Sequence, residues 1–309
     1  MGGMPGFKVK RLIKDVNMKM ITIFTPTYNR GYILRRCYKS LQKQTSKNFK
    51  WQIVDDGSTD NTKDIVNEFI AEGKISIDYY YKKNGGKVSA INTSLELSET
   101  ELWLCLDSDD YLFSSAVEII EKEYESIRNI PEICGLFALR SNRDGEPMQG
   151  KNIPRSIKYA TQFEIRYKYK ILPEYVQVYK TDIINQFRYP LFKDEKYMPL
   201  SYIQDQIDAK YKFKIIRDPV MVCEYLEDGI TKNQKKLVKN NPLSYTEFKR
   251  QQICYAPNIK FKIKACITYN TGNILSGNMH ILKDSPSKIL TILCYPIGVL
   301  DWWLRYRKI

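Results

Sequence analysis

Apolar residues along this chain fall into short runs that alternate with stretches of helical spacing. Ile21-Thr-Ile-Phe24 is a β-rich run, and Tyr32 to Gln44 follows with Ile33, Leu34, Cys37, Tyr38 and Leu41 spaced for one helix face. Phe49 to Val54 predicts a second strand. It closes on Asp55-Asp56-Gly57-Ser58-Thr59-Asp60, whose last residue is placed to cap a helix carrying Ile65, Val66, Phe69 and Ile70. Ile75 to Tyr81 predicts a third strand, Lys87 to Leu97 a third helix and Leu102 to Leu106 a fourth strand. This order calls for an α/β fold with a mostly parallel sheet, right-handed crossovers and helices on both faces. After Ile133 the alternation loosens. Cys134 to Leu139 and Val176 to Tyr179 predict further strands, Pro199 to Lys212 a helix, Phe213 to Glu224 a strand pair bent at Asp218-Pro219, and the Lys-rich chain beyond Asp228-Gly229 is helical.

In open sheets of this kind ligands bind outside the carboxyl ends of the strands. Thr25-Pro26-Thr27-Tyr28, Asp55-Asp56, Asn84-Gly85-Gly86-Lys87 and Asp107-Ser108-Asp109 each follow a strand and are expected to line one crevice. The last is the most informative, because the apolar run Leu102 to Leu106 stops on Asp107, Asp109 and Asp110. Carboxylates are rarely buried unpaired, so a strand ending on three of them has usually been given a cation to hold. Mg²⁺ suits such a place, since it takes one or two protein carboxylates and fills its shell with water and substrate phosphate. Taken alone, Ser108, Asp109 and Asp110 would equally serve to cap a helix beginning near Ser114.

The neighbouring loops favour the cation. Mg²⁺ or Mn²⁺ on Asp107 and Asp109 would neutralise a diphosphate leaving group. Asp55 is placed to accept a hydrogen bond from a base N–H, and Lys87 to approach phosphate while Gly85 and Gly86 keep the backbone clear. Neither Gly-x-x-x-x-Gly-Lys-Ser/Thr nor Gly-x-Gly-x-x-Gly follows the first strand, which argues against a P-loop ATPase and a dinucleotide oxidoreductase.

The chain has 309 residues and a net charge of +14, which raises the question of nucleic acid. The basicity sits at the ends: residues 229–309 carry 14 basic against 3 acidic residues, residues 1–19 carry 5 against 1, and everything between is close to neutral. A basic stripe on one fold would suggest nucleic acid, whereas basic ends on a neutral body suit an anionic membrane surface at least as well, and no nucleic-acid partner is expected. Ile289 to Leu304 is apolar but interrupted by Pro296 and Asp301, too short to span a bilayer. Trp302, Trp303, Arg305, Tyr306, Arg307 and Lys308 supply headgroup-layer groups, so the run reads as an interfacial anchor, with a helix packed on the domain as the alternative. Seven scattered cysteines form neither a disulfide framework nor a zinc spacing and fit a reducing cytosolic setting. The single histidine, His280, reads as a surface or packing residue.

Phe24-Thr-Pro-Thr-Tyr-Asn-Arg30, Val54-Asp-Asp-Gly-Ser-Thr-Asp-Asn-Thr62, Asn84-Gly-Gly-Lys-Val-Ser-Ala-Ile-Asn92 and Leu106-Asp-Ser-Asp-Asp110, in this order and spacing, resemble the family-2 glycosyltransferases with the GT-A fold. The segment Glu224 to Thr231 is similar to one that closes the catalytic domain in bacterial members building capsules, O-antigens and wall polymers. The resemblance implies a transferase domain over 20–230; charge and composition set beside it a basic extension at 1–19 and a basic helical region over 231–309 with an interfacial segment at 286–309. It further implies inverting transfer from a nucleoside-diphosphate sugar, most often a UDP-sugar, to a lipid-linked or polymeric acceptor at the inner membrane face. By similarity, Thr25, Pro26, Tyr28 and Arg30 frame the nucleoside, Asp55 and Asp56 the base side, and Gly86, Lys87 and Asn92 the edge of the pocket. Asp107, Ser108 and Asp109 then serve ribose and metal. Inversion needs a carboxylate to take the acceptor proton. The segment Asp194 to Tyr202 resembles the one that carries this base, but Leu200 stands where the acid is expected, leaving Glu195 and Asp194 as the nearest candidates, Asp205 about a turn and a half further on, and Asp110. A catalytically impaired nucleotide-sugar-binding or scaffold protein of the same fold is the alternative. A nucleotidyltransferase would share the fold and the metal chemistry but release pyrophosphate.

Overall fold

The computed structural model describes residues 19–148, 151–171, 175–223 and 234–307. The segment resembling Glu224 to Thr231 and all but the last residue of the basic N-terminal extension lie outside the described residues. The first half runs as expected: β1 (Ile21–Thr27), α1 (Gly31–Gln42), β2 (Phe49–Asp55), α2 (Thr62–Glu72), β3 (Ile77–Tyr81), α3 (Lys87–Leu97) and β4 (Leu102–Cys105). A two-residue strand β5 (Tyr111–Leu112) and helix α4 (Ala116–Glu125) follow. The Asp107–Asp110 run therefore does not cap a helix. Ser115 occupies the N-cap position of α4, and β5 intervenes.

Next come β6 (Ile133–Leu139), β7 (Tyr159–Ala160), a π-helical turn (Glu164–Lys168), β8 (Tyr175–Lys180), α5 (Thr181–Ile184), α6 (Ser201–Asp208), β9 (Lys212–Ile215) and β10 (Met221–Val222). The main sheet has the order β3-β2-β1-β4-β8-β6-β9-β7. Strands β3, β2, β1 and β4 are mutually parallel, and β8 enters antiparallel between β4 and β6. Two expectations change here. The helix over 199–212 shortens to α6, because the turn at Lys210 and Tyr211 feeds the chain directly into β9. The strand pair over 213–224 divides between two sheets, β9 beside β6 and β10 paired with β5.

Apolar side chains from the two faces of the sheet form two cores. Ile21, Ile23, Trp51 and Leu104 meet α1, α2 and α4 on one side, and Phe24, Val54, Trp103 and Phe137 meet α3 and α6 on the other. Tyr38, Trp51 and Phe69 stack within the first core, with the Tyr38 and Phe69 centroids 4.0 Å apart.

Helices α7 (Gln234–Asn240), α8 (Pro242–Cys254), α9 (Ile259–Ser276) and α10 (Lys288–Tyr306) complete the chain. Helix α8 joins this group to the body, with Phe248 in the second core and Gln251 donating to the carbonyl of Tyr202 on α6. The α9–α10 contact is built from small and polar groups. Asn270 donates to the carbonyl of Thr291, and Thr271 donates to the carbonyl of Gly298 and pairs with Asp301, where a Cβ on Gly298 would lie 2.5 Å from that of Asn270. The outer face of α10 is apolar: Ile289 is 75% exposed, Leu293 67% and Leu304 66%, beside exposed Ile292, Ile297, Leu300 and Trp303. The helix thus turns mostly small and hydrogen-bonding groups inward, with Cys294 and Leu290 in a small apolar cluster, and most of its apolar bulk outward, unlike an ordinary surface helix. No helix among the described residues is long and apolar enough to cross a membrane.

One backbone feature pins the sheet. Gly135 has φ +153° at a register shift between β6 and β9, and a Cβ there would stand 1.9 Å from the carbonyl oxygen of Val178 on β8. Gly135→Ala is expected to destabilise the fold by about 3 kcal/mol, seen as a lower urea midpoint with an unchanged slope.

Candidate functional site

The four strand-end loops meet at one edge of the parallel half of the sheet. Parallel pairing sets Thr27 level with Asp55, and the N–H of Asp56 donates to the carbonyl of Thr27. The loop after β1 is stitched to the loop after β2: Asn29, at φ +52°, accepts from the Thr59 and Asp60 N–H groups, and the Asp60 carboxylate accepts from the N–H of Gly31. Asp60 also accepts from Thr62 at the start of α2, so one carboxylate serves the ends of two helices.

Asp55 and Asp56 are both buried, and each is fully engaged. Asp55 accepts from the N–H of Ser58 at 2.7 Å and from the Tyr79 hydroxyl at 2.7 Å. Asp56 accepts from Lys82 Nζ at 2.7 Å and from the N–H groups of Gly85 at 2.9 Å and Gly86 at 2.6 Å. The second aspartate therefore holds the glycine loop. Gly86 has φ +87°, and a Cβ on it would lie 1.8 Å from the carbonyl oxygen of Lys196, so only glycine lets this loop pass under the Asp194–Lys196 segment.

At the end of β4 the cations and carboxylates interlock. Lys87 Nζ, at the first turn of α3, lies 2.6 Å from Asp107 Oδ1, and Arg140 lies 3.9 Å from Asp107 and 3.7 Å from Asp110. Burial pushes the Asp107 carboxyl up, but the charges of Lys87 and Arg140 outweigh it and hold the group below its ordinary range. Lys87 is the mirror case, with burial opposed and overcome by Asp107, so its ammonium is held more firmly than usual. Asp110 is pushed up to about 7, chiefly by burial, with Arg140 opposing and Asp107 adding to the rise. Oxygen atoms of Asp107, Asp109 and Asp110 lie within 4.8 Å of one another. An all-oxygen set of this size fits Mg²⁺ or Mn²⁺ and does not select a softer metal. Ser108 is buried between them.

Beside this cluster is a cavity of about 80 Å³ lined by Lys87, Asp107, Arg140, Tyr175, Leu200 and Gln204. Leu200, the apolar residue at the position where an acid was expected, thus forms part of the crevice wall. Of the expected nucleoside-framing residues, Tyr28 is 49% exposed, and Arg30 donates to the Tyr32 hydroxyl.

Three expectations need correction. Thr25 is fully buried, and its hydroxyl accepts from the indole N–H of Trp51, so its side chain faces the core rather than a ligand. Asn92 exchanges two hydrogen bonds with the backbone of Tyr189 and ties α3 to the later chain. Glu195 is the third: its two oxygens accept from the N–H groups of Leu243 and Ser244, each at 2.7 Å. Those are orphan donors in the first turn of α8, so Glu195 works as a tertiary cap. Asp194 is exposed in a left-handed turn at φ +64°. Sequence reading missed Tyr79, Lys82 and Arg140, which compensate the buried carboxylates. The available signal was positional for two of them, since Lys82 directly follows β3 and Arg140 directly follows β6. If Glu195 is a cap, Glu195→Ala costs about 1 kcal/mol of stability, read as a lower thermal midpoint. A base would instead give an enzyme of unchanged midpoint and abolished turnover.

Residues 22–187 match the sequence profile described as Glycosyl transferase family 2. The chondroitin synthase of Pasteurella multocida (strain Pm70) is 35% identical over 105 residues, 34% of this chain and 11% of the synthase. Glycosyltransferase GlyG of Streptococcus pneumoniae serotype 4 is 29% identical over 127 residues, 41% of this chain and 42% of GlyG. The matched stretch is thus well under two thirds of either relative's length. Among solved structures, S. aureus TarS 1-349 in complex with UDP superposes with a TM-score of 0.56 at 16% identity, covering 91% of this chain and 88% of that one. Mannosyltransferase PcManGT from Pyrobaculum calidifontis in complex with GDP-Man and Mn²⁺ gives 0.51 at 14% identity, covering 94% and 82%. At these identities the likeness is one of fold, the GT-A arrangement of sheet and helices. With more than half of its length inside the family profile, the chain belongs to glycosyl transferase family 2.

Proposed function

We propose that the protein is an inverting glycosyltransferase that moves a sugar from a nucleoside-diphosphate donor, a UDP-sugar, to a lipid-linked or polymeric glycan acceptor in surface polysaccharide synthesis. The observation that carries the reading is the Asp107, Asp109 and Asp110 group, set between Lys87 and Arg140 where four strand-end loops meet. Support comes from relatives named as a chondroitin synthase and a glycosyltransferase, and from fold neighbours whose complexes contain UDP or GDP-Man with Mn²⁺. Residues 20–230 form the transferase part in this reading, and residues 231–309 the attachment part.

The roles follow from placement. Tyr28 and Arg30 flank the nucleoside, with Pro26 at the end of β1 beneath it. Lys87 presents an ammonium fixed by Asp107 toward the diphosphate, and Gly86 lets the loop approach it. Asp109 and Asp107 would hold Mg²⁺ or Mn²⁺, which when bound supplies charge neutralisation for the departing diphosphate. Asp107 already offsets Lys87, so the site exchanges one set of charge pairs for another when a donor enters. The acceptor proton requires a carboxylate. With Glu195 engaged by α8, Asp194, Asp205 and Asp110 are the remaining candidates among the described residues named above.

Leu200 in the crevice wall favours a second reading, a nucleotide-sugar-binding protein of the same fold with little or no transfer activity. The two separate cleanly. Thermal unfolding with Mn²⁺ and each nucleoside-diphosphate sugar should show a rise in midpoint for the donor. Release of the nucleoside diphosphate from it should fall by about 100-fold in Asp109→Asn. A midpoint rise without release over a broad acceptor panel establishes the second reading, and no donor response at all overturns both.

For attachment we propose an anionic membrane surface at the inner face of the cell membrane. The inside-out polarity of α10 supports it: small and hydrogen-bonded groups face α9, as in helices packed within lipid, and the apolar side has no protein to cover it among the described residues. Trp303, Arg305 and Arg307 stand at its end. Leu300→Asp with Leu304→Asp alters only exposed positions. The double variant should unfold at the wild-type temperature yet stop sedimenting with phosphatidylglycerol vesicles, and unchanged sedimentation rules the surface out.

A further inference from the structure

The segment Asp194 to Tyr197 passes over the glycine loop, and one buried side chain of the helical region fastens it there. Asn241 stands between α7 and α8 and is 6% exposed. Its Oδ1 accepts from the N–H of Lys196 at 2.8 Å and from that of Tyr197 at 3.0 Å, and its Nδ2 donates to the carbonyl of Leu237 on α7 at 2.8 Å. These partners fix the orientation of the amide, since exchanging O and N would set donor against donor and acceptor against acceptor. The backbone carbonyl of Asn241 accepts from the N–H of Tyr245 on α8. One residue therefore joins the end of α7, the start of α8 and the crossing segment.

The Tyr197 N–H belongs to the same peptide unit as the Lys196 carbonyl. That unit is planar and trans, so its N–H and C=O point in opposite directions. One edge is fastened to Asn241 while the other faces Gly86, where a Cβ would lie 1.8 Å from the Lys196 oxygen. Turning the plane moves both edges together. Beneath the contact, the N–H of Gly86 donates to Asp56, and its carbonyl accepts from the N–H groups of Ser89 and Ala90 at the start of α3. The next residue is Lys87, whose Nζ lies 2.6 Å from Asp107. The glycine loop is thus clamped between a carboxylate below and a peptide plane above. The upper jaw is set by Asn241, which lies outside the stretch matched by the family profile.

We propose that Asn241 is a positioning residue for the donor diphosphate: by fixing the Lys196–Tyr197 peptide it sets the height of Gly86 and the direction of Lys87. Donor affinity is in this way governed from the helical C-terminal region. The inference rests on the reading of Gly86 and Lys87 as the loop that meets the diphosphate, and adds to it a residue that touches no substrate. Without the Asn241 oxygen, two N–H groups lose their acceptor and the peptide plane turns toward other partners. The glycine loop then loses its backing, and ordering it falls to the ligand, which lowers affinity.

The test titrates the full chain and three variants with UDP in the presence of Mn²⁺, alongside thermal unfolding and amide hydrogen exchange. Asn241→Leu removes the acceptor, and Asn241→Asp keeps one for both N–H groups. Asn270→Ala loosens α9 against α10 without touching the crossing segment. UDP should bind Asn241→Leu about tenfold more weakly than wild type. Asn241→Asp should stay within about threefold of wild type. Asn270→Ala should lower the unfolding midpoint and leave UDP affinity unchanged, which separates positioning from general loosening. Wild-type affinity in Asn241→Leu, an equal loss in Asn241→Asp or an equal loss in Asn270→Ala overturns the proposal. Should Asn241→Leu not fold, the wild type decides. UDP should slow exchange at the Lys196 and Tyr197 N–H groups together with those of Gly85 and Gly86, and slowing confined to the glycine loop overturns the proposal. No UDP response in the wild type overturns the donor reading and the proposal with it, whereas a wild-type response that every variant keeps overturns the proposal alone.

Discussion

A carboxylate cannot be taken out of water without a partner, and this fold takes several out at once along the carboxyl edge of its sheet. The cost is met locally and differently at each position. Asp55 is satisfied by a loop N–H and a tyrosine hydroxyl, Asp56 by Lys82 and two glycine N–H groups, and Asp107 by Lys87 and Arg140. Because breaking such a buried pair from one side is far more damaging than never having had it, these contacts also fix geometry. They decide where the glycine loop lies, where α3 begins and where the β4 loop turns.

The same logic extends to the helical C-terminal region. The first turn of α8 carries donors with no partner within the helix, and Glu195 supplies both acceptors from a segment that crosses the mouth of the crevice. Asn241, just before that helix, accepts from the N–H groups of Lys196 and Tyr197. The region is thus joined to the transferase fold by polar bonds at α8 and by the α6–α8 contact. Its own helices enclose a small core of Ile253, Ala265, Cys266, Tyr269 and Cys294, while α10 leaves most of its bulk outside.

Much of this was legible in the chain. Regular spacing from Ile21 to Leu106 matches the strands and helices of the first half to within a few residues, since β1, β2 and β3 lie side by side in chain order and β4 returns beside β1. The second half was harder because β8 inserts antiparallel between β4 and β6, a non-local pairing that no local pattern encodes. In the site, residue type and position after a strand identified the carboxylates and Lys87. What the pattern left out was which way each side chain turns: Thr25 points into the core and Glu195 toward α8, although both sit in segments that border the crevice. The compensating cations Lys82 and Arg140 were visible only as basic residues among 49, and their meaning comes from the carboxylates they face.

The contact of Gly86 with the Lys196 carbonyl bears on how such a chain can change over generations. The glycine loop, the crossing segment and the start of α8 are stacked with no spare room, so the helical region is not an interchangeable cartridge. Exchanging it for that of another member would have to bring along the crossing segment and find a glycine beneath it. A lineage that alters this region is therefore constrained to change the outer face of α10 and leave its root alone.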